Sequence, residues 1–113
     1  HCFGGPGADS FGQLLESPAG DASSDLLVAL DRWSEGGDAP EQVIASKYVP
    51  DTTTPSGTAA SDSTGRTVES TRPLCAYPAL AMYQAGDTRS AASFACRMAP
   101  GARHESPAGQ YLR

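Results

Sequence analysis

The sequence contains no run of basic residues and no long apolar stretch. Only 8 of its 113 residues are Lys or Arg, against 13 Asp or Glu, which gives a net charge of −5 at pH 7. Proteins that bind nucleic acid neutralise phosphates with clustered basic residues, so a nucleic-acid partner is not expected. Apolar stretches such as Leu26 to Leu30 fall far short of the roughly 20 residues that cross a bilayer, so no membrane partner is expected either.

Apolar residues are also few for a domain that folds by itself. They make up 39 % of the chain, whereas 12 Gly and 9 Pro give loops a large share. A chain of this length forms at most one small domain. Because it also begins abruptly at His1, we interpret residues 1–113 as one piece of a larger protein with an incomplete core.

Cysteine is scarce and odd in number, with Cys2, Cys75 and Cys96. In an oxidised protein two cysteines pair and the third needs a partner elsewhere. Cys75 and Cys96 could close a loop worth roughly 3 kcal/mol in the chain-entropy model, which would leave Cys2 over. Three reduced, buried thiols in a cytosolic protein are the alternative. The spacings typical of zinc ligands are missing, so no metal site is expected.

The clearest secondary-structure signal is an amphipathic helix from about Asp25 to Glu35. Ser23 or Ser24 could cap its start, and Gly36-Gly37 is a signal for its end. On its apolar face we expect Leu26, Leu30 and Trp33 to be core residues that, together with Ile44, this chain alone leaves partly uncovered. That face consists of Leu26, Leu27, Leu30 and Trp33.

Strand signals follow the helix, which favours the α/β class. Val43 to Val49 is predicted to be a buried strand, and Arg66 to Thr71 its returning partner. The residues between them, 51–65, are small and polar and are predicted to form an exposed, flexible loop. Further on, Ala79 to Tyr83 is predicted to be a helical turn. A short helix capped by Asp87 is predicted through Phe94 to Cys96, and residues 100–113 are predicted to fray.

The first residues carry the most chemical information. His1-Cys2 is followed by Gly4-Gly5-Pro6-Gly7, in which neither a helix nor a strand is expected. The histidine and the cysteine therefore lie at the mouth of a tight loop, where enzymes present reactive groups on a rigid scaffold. A histidine alone proves little, but in α/β-hydrolases the triad histidine comes last and lies on a loop.

Two other residues could suggest chemistry but are interpreted otherwise. The sequence around Ser10 imitates a nucleophile elbow, yet an elbow needs a strand before the serine. We expect Asp9 and Ser10 to hold the loop by local hydrogen bonds from side chain to backbone. His104 lies in a polar tail and is expected to be an ordinary exposed residue.

The segment from His1 to Phe11 resembles the histidine segment of the tannase and feruloyl esterase family. The likeness continues in the same order to about Cys96, with two departures: Ala76 stands where the family usually has proline, and the loop at 51–65 looks longer than usual. The matching segments are Leu30-Asp31-Arg32-Trp33, Ala39-Pro40-Glu41, Ile44-Ala45-Ser46-Lys47-Tyr48, Thr71-Arg72-Pro73-Leu74-Cys75-Ala76-Tyr77-Pro78, and Gly86 through Cys96.

This resemblance implies a serine esterase with an α/β-hydrolase core and a large lid domain. The present chain would be the C-terminal piece of that fold, with the His loop, an amphipathic helix, the last strand or hairpin, and a disulfide-stapled tail. His1 would be the triad base, and Cys2 would bond to a cysteine that precedes the nucleophilic serine. Cys75 and Cys96 match the family's C-terminal cysteines and would pair. The calcium-binding lid is absent, so no cofactor is expected here.

The resemblance further implies a secreted or periplasmic parent enzyme that hydrolyses small aromatic esters, galloyl, feruloyl or related. Its partner would be the missing N-terminal part of its own chain, which would carry the nucleophile, the acidic triad member and the oxyanion hole. Residues 1–113 alone should therefore be inactive. The alternative is a small disulfide-stapled secreted module that binds a partner without catalysis. The coding sequence upstream of His1 distinguishes the two.

Overall fold

The structure, a computed structural model, describes residues 5–12, 20–49 and 67–101. The predicted loop at 51–65 lies outside these residues, as does the predicted frayed tail beyond residue 101. The described part contains one helix and two antiparallel two-stranded sheets, β1 with β2 and β3 with β4. The elements are α1 (Leu26–Gly36), β1 (Gln42–Tyr48), β2 (Val68–Cys75), β3 (Ala79–Tyr83), a short 3-10 turn (Ala91–Ser93) and β4 (Phe94–Met98).

Helix α1 begins at a buried aspartate rather than at a serine. The Asp25 carboxylate accepts hydrogen bonds from the backbone N–H groups of Leu27 at 2.9 Å and Val28 at 3.2 Å. These two donors have no partner inside the helix, so the carboxylate satisfies both and also meets the positive end of the helix dipole. The prediction that Ser23 or Ser24 caps the helix is therefore wrong.

The two serines stabilise the turn before the helix instead. Both hydroxyl groups donate to one carboxylate oxygen of Asp21, Ser23 at 2.6 Å and Ser24 at 3.1 Å. The Ser23 hydroxyl and backbone N–H are the main causes that lower the pKa of Asp21 below its ordinary value of 3.8. This stabilisation is complete above that ordinary pKa and is lost as the pH falls through the lowered one.

The end of α1 agrees with the sequence. Gly37 has a left-handed backbone (φ 82°), and its N–H donates to the carbonyl of Trp33 at 2.8 Å. Glycine adopts this conformation without the steric cost that a Cβ atom brings, so it is the residue that most often ends a helix. The predicted glycine cap is confirmed.

Strands β1 and β2 confirm the predicted strand and its returning partner, although β2 runs on to Cys75. This extension includes Pro73, which cannot donate a backbone hydrogen bond. Pro73 lies opposite Ile44, whose own N–H points away from β2 and donates to the Ser23 carbonyl at 2.7 Å. No hydrogen bond between the strands is needed at this position, so the proline fits within the strand.

The predicted helical turn at 79–83 is wrong, since this segment is a strand. The helix predicted after Asp87 is limited to the 3-10 turn Ala91–Ser93, and residues 94–96, which were expected to continue it, lie in β4. Tyr83 pairs with Phe94 and Ala79 with Met98 across the β3–β4 hairpin. Five residues are too few to form a stable helix by themselves, so pairing with a neighbouring strand decides their conformation. Asp87 accepts from the Arg89 N–H at 2.8 Å and thereby stabilises the turn between the strands rather than a helix.

The second sheet packs on β2 through polar and aromatic contacts. The Arg72 guanidinium lies 4.2 Å from the ring centroid of Phe94, which in turn packs edge-on against Tyr83. Thr71 Oγ1 accepts a hydrogen bond from the Ala91 N–H at 2.8 Å. Strand β2 therefore joins the two sheets.

The buried core is small, and the apolar face of α1 remains open. Leu26 is 40 % exposed, Leu27 61 %, Leu30 53 % and Trp33 46 %. The expectation that this face stays partly uncovered is confirmed. The buried apolar residues are Ala29, Val43, Ala45 and Tyr48. The small mixture of helix and strand is consistent with one piece of a hydrolase.

Candidate functional site

His1 and Cys2 lie outside the described residues, so their roles stay predictions, and the same is true of His104. The structure describes the segment that follows His1 and Cys2 in the sequence. We call residues 9–12 the anchor segment, because contacts at both of its ends tie it to the scaffold.

The first tie is a backbone bridge to β1. The N–H groups of Asp9 and Ser10 both donate to the Ser46 carbonyl, at 3.2 and 3.0 Å, and the Ser46 N–H donates to the Ser10 carbonyl at 2.7 Å. Ser10 and Ser46 thus form one isolated antiparallel bridge. The segment is held by a strand far along the sequence, and not only by the local side-chain bonds that the sequence predicts.

The second tie is an ion pair between Lys47 and Asp9. Lys47 Nζ donates to Asp9 Oδ2 at 3.0 Å, and the two side chains are only 16 % and 18 % exposed. A pair so shielded from water is screened less than a surface pair. This contact was not predicted from the sequence. The available signal was a lysine inside the apolar run Val43 to Val49, because a shielded ammonium group needs an opposite charge.

The third tie is at the start of α1. The Leu26 N–H donates to the Phe11 carbonyl at 2.9 Å. Gly12 is buried with a left-handed backbone (φ 84°), and a Cβ atom placed there would lie 2.5 Å from the Asp25 carboxylate. Only glycine both adopts this backbone conformation readily and leaves room for the Asp25 carboxylate. The close packing of the anchor segment against the helix cap therefore depends on Gly12.

Replacing Gly12 with Ala should therefore cost more than replacing Gly37 with Ala. Both glycines have left-handed backbones, but a Cβ at Gly37 meets open space. We expect about 1 kcal/mol of lost stability at Gly37 for the backbone alone, and about 2 kcal/mol at Gly12, where overpacking against Asp25 adds to it. Thermal unfolding of the two variants in the full-length protein measures the difference. Equal melting temperatures would contradict the steric argument.

Ser10 lacks the surroundings of a nucleophile. Its backbone N–H and carbonyl both bond to Ser46, and in residues 5–9 no strand precedes it. A nucleophile elbow places its serine on a sharp turn between a strand and a helix. The described geometry therefore assigns Ser10 to the anchor and offers no support for a role in attack on an ester.

The predicted pairing of Cys75 and Cys96 is confirmed. The two residues form a disulfide with a Cα–Cα distance of 5.6 Å, which joins the end of β2 to β4. Disulfide sulfurs cannot act as thiolate ligands, so a zinc site made from all three cysteines is excluded. Within residues 5–12, 20–49 and 67–101, no group of three or more His, Cys, Asp or Glu could hold a metal ion.

An apolar cleft of about 220 Å³ lies where the anchor segment, the first turn of α1, β1 and the end of β2 meet. Its lining includes Phe11, Leu26, Val43, Leu74 and Ala76. These side chains supply no acid, base or nucleophile, so the cleft can hold an apolar group but cannot react with it.

Among the described elements, no helix is long and apolar enough to cross a membrane.

Comparison with known proteins gives the same family over most of the chain. The family model described as tannase and feruloyl esterase matches residues 1–97. The chain is 37 % identical to an uncharacterized esterase of Xanthomonas campestris pv. campestris over 99 % of its length. It is 38 % identical to a mono(2-hydroxyethyl) terephthalate hydrolase of Piscinibacter sakaiensis over 88 % of its length.

Solved structures agree with these sequence matches. The crystal structure of an esterase from Aspergillus oryzae superposes with a TM-score of 0.61 at 29 % identity, over 86 % of this chain and 17 % of that one. The chain likewise spans only 17 % and 13 % of the length of the two curated relatives. The match over residues 1–97 includes the histidine loop, α1 and both sheets, and we conclude that the chain belongs to the tannase and feruloyl esterase family.

Proposed function

We propose that this chain is the C-terminal part of an α/β-hydrolase-fold serine esterase that cleaves small aromatic esters and that it supplies His1 as the triad base. The family match over residues 1–97 carries this proposal, because it includes His1 and Cys2. The relatives are named esterases, feruloyl esterases and a terephthalate monoester hydrolase. These names support carboxylic ester hydrolysis and favour an aromatic acid as the acyl group.

The proposed reaction follows the usual order for a serine esterase. Neutral His1 accepts the proton of the nucleophilic serine while the serine oxygen bonds to the ester carbonyl carbon. The imidazolium then returns this proton to the alcohol oxygen as the ester bond breaks. Water, deprotonated in turn by His1, attacks the acyl carbonyl carbon, and His1 returns that proton to the serine oxygen as the acid leaves. The serine, the acidic triad member and the oxyanion hole belong to the part of the parent that precedes His1.

In this proposal Cys2 bonds to a cysteine next to the nucleophilic serine. A covalent link between the neighbours of the base and of the nucleophile limits the distance between them, and such preorganisation lowers the barrier. The Cys75–Cys96 disulfide supports an oxidising compartment, so we place the parent outside the cytoplasm, secreted or periplasmic.

The preceding part of the parent is also the proposed partner of the open face of α1. Three leucines and Trp33 on this face are between 40 % and 61 % exposed. In α/β folds, helices cover the faces of a central sheet, so such a face becomes core once the sheet is present. The relatives are several times longer than this chain, which leaves ample sequence for that sheet.

The test compares the full-length parent with residues 1–113 on methyl ferulate, methyl gallate and mono(2-hydroxyethyl) terephthalate. We expect the parent to hydrolyse at least one of these esters and the isolated piece to match the buffer rate, because the piece holds the base without its nucleophile. A parent inactive on all three esters would overturn the proposal. So would a piece whose activity disappears on Ser10→Ala. A signal peptide encoded directly before His1 would favour the binding module.

A further inference from the structure

We propose that the Asp9–Lys47 ion pair is a positioning pair for His1, since it sets the register in which the His1 loop joins β1. This inference rests on the proposed function and adds two residues to it. Asp9 follows His1 by only eight residues, and Gly5 to Gly7 are exposed bends rather than helix or strand. The anchor segment is therefore the first described attachment to the scaffold after the base.

The bridge between Ser10 and Ser46 is too short to fix, by itself, the register in which the anchor segment pairs with β1. It consists of one bridged residue pair, whereas β1 and β2 share a ladder seven residue pairs long. In sheets the register is set by side-chain pattern and by turns, and it is weakly specified where these are missing.

The Phe11–Leu26 hydrogen bond and the fit of Gly12 against Asp25 hold the far end of the anchor segment on α1, and the ion pair adds the side-chain match that holds its near end on β1. In an antiparallel arrangement with Ser10 opposite Ser46, Asp9 lies directly opposite Lys47, where cross-strand partners interact most strongly. Their 3.0 Å contact is the observed result. A shift of two residues in either direction would place Asp9 opposite Ala45 or Val49 and leave a carboxylate facing an apolar residue. A shift of one residue would turn Asp9 to the other face.

The cost of a wrong register falls on catalysis. Two residues of extended chain correspond to roughly 7 Å, whereas a misplacement of about 1 Å can cost a factor of about 100 in rate. The pair touches no reacting atom in this account. It acts through the anchor segment on the mean position of His1, so its loss should lower turnover and leave substrate binding largely intact.

The experiment uses the full-length esterase with Asp9→Asn, Lys47→Gln and the exchanged double variant Asp9→Lys/Lys47→Asp. Glu35→Gln on the exposed side of α1 is the control, since it also removes one negative charge. We expect kcat per folded enzyme to fall at least about tenfold in both single variants, with KM changed less than about twofold. The exchanged variant should recover most of the lost kcat, and the control should match the wild type.

Two results would overturn the inference. One is a kcat in both single variants equal to that of Glu35→Gln. The other is a parallel loss of kcat and thermal stability that the exchanged variant does not reverse, which would make the pair merely structural. If Asp9→Asn does not fold, Lys47→Gln breaks the same pair from the other side. His1→Ala distinguishes failure of this inference from failure of the proposed function. If the His1 variant keeps its activity, His1 is not the base and the proposed function fails. If the His1 variant is inactive and the two single variants are not impaired, only the positioning role fails.

Discussion

His1→Ala in the full-length parent is expected to lower kcat on a feruloyl or terephthaloyl monoester by about four orders of magnitude. Without the imidazole, no group takes the proton of the serine during attack or returns it to the leaving alcohol. Substrate binding does not require that proton transfer, so KM should change little. Steady-state kinetics on the purified variant measures both constants.

His104→Ala is the matched control, since it removes the only other histidine of the chain. We expect it to retain nearly the wild-type rate, because a polar tail residue is no part of the proposed triad. A His1 variant with near-normal turnover would refute the role of His1 as base. A large loss in the His104 variant together with a normal His1 variant would move that role to the tail.

Loss of the Cys75–Cys96 disulfide is expected to cost about 3 kcal/mol of stability. The bond closes a loop with a sequence separation of 21 and so restricts the unfolded chain. It also joins β2 to β4, whose sheet otherwise packs on β2 through Arg72, Phe94 and Thr71. Thermal unfolding of Cys75→Ala, Cys96→Ala and the double variant measures the loss.

The double variant serves as the control for this measurement. Because each single variant already breaks the bond, the double variant should lose no more stability than either one, apart from small packing changes. Peptide mapping under non-reducing conditions should recover Cys75 and Cys96 in one linked pair. Alkylation of both thiols in the unreduced native protein would contradict the disulfide.

Local signals predicted the parts of the fold that local interactions determine. The spacing of Leu26, Leu30 and Trp33, followed by Gly37, was sufficient to predict α1, because helix formation and capping involve residues within one turn. The N-cap was assigned to the wrong residue, since three capping residue types stand in the row Ser23-Ser24-Asp25. Which of them caps the helix depends on the packing of Asp25 against Gly12.

Long-range pairing accounts for the failures. Ala79 to Tyr83 has no strict alternation, so its sequence does not distinguish a turn of helix from a strand that pairs with β4. The contact between Asp9 and Lys47 joins residues 38 positions apart. A lysine inside an apolar run indicates that an opposite charge lies nearby, but it does not identify which acidic residue supplies that charge. The cysteine pair was predictable because Cys75 and Cys96 match cysteines of the family that the chain resembles, whereas the residues alone left three reduced thiols as an alternative. His1 and Cys2 stay predictions that the proposed experiments test.

One backbone hydrogen bond joins the chain just after β1 to the chain just before β2. Changes in the connection between these two strands therefore need not reach the anchor segment on β1. The Val49 N–H donates to the Thr67 carbonyl at 2.9 Å, so the chain leaves and re-enters the sheet at one fixed point. The free-energy cost of closing a loop rises only with the logarithm of the loop's length, by about 0.6 kcal/mol for each doubling. Insertions or deletions between these two residues can therefore accumulate during evolution without shifting Ser46 or Lys47. A change in the length of this connection is therefore expected to leave the attachment of the anchor segment to β1 intact.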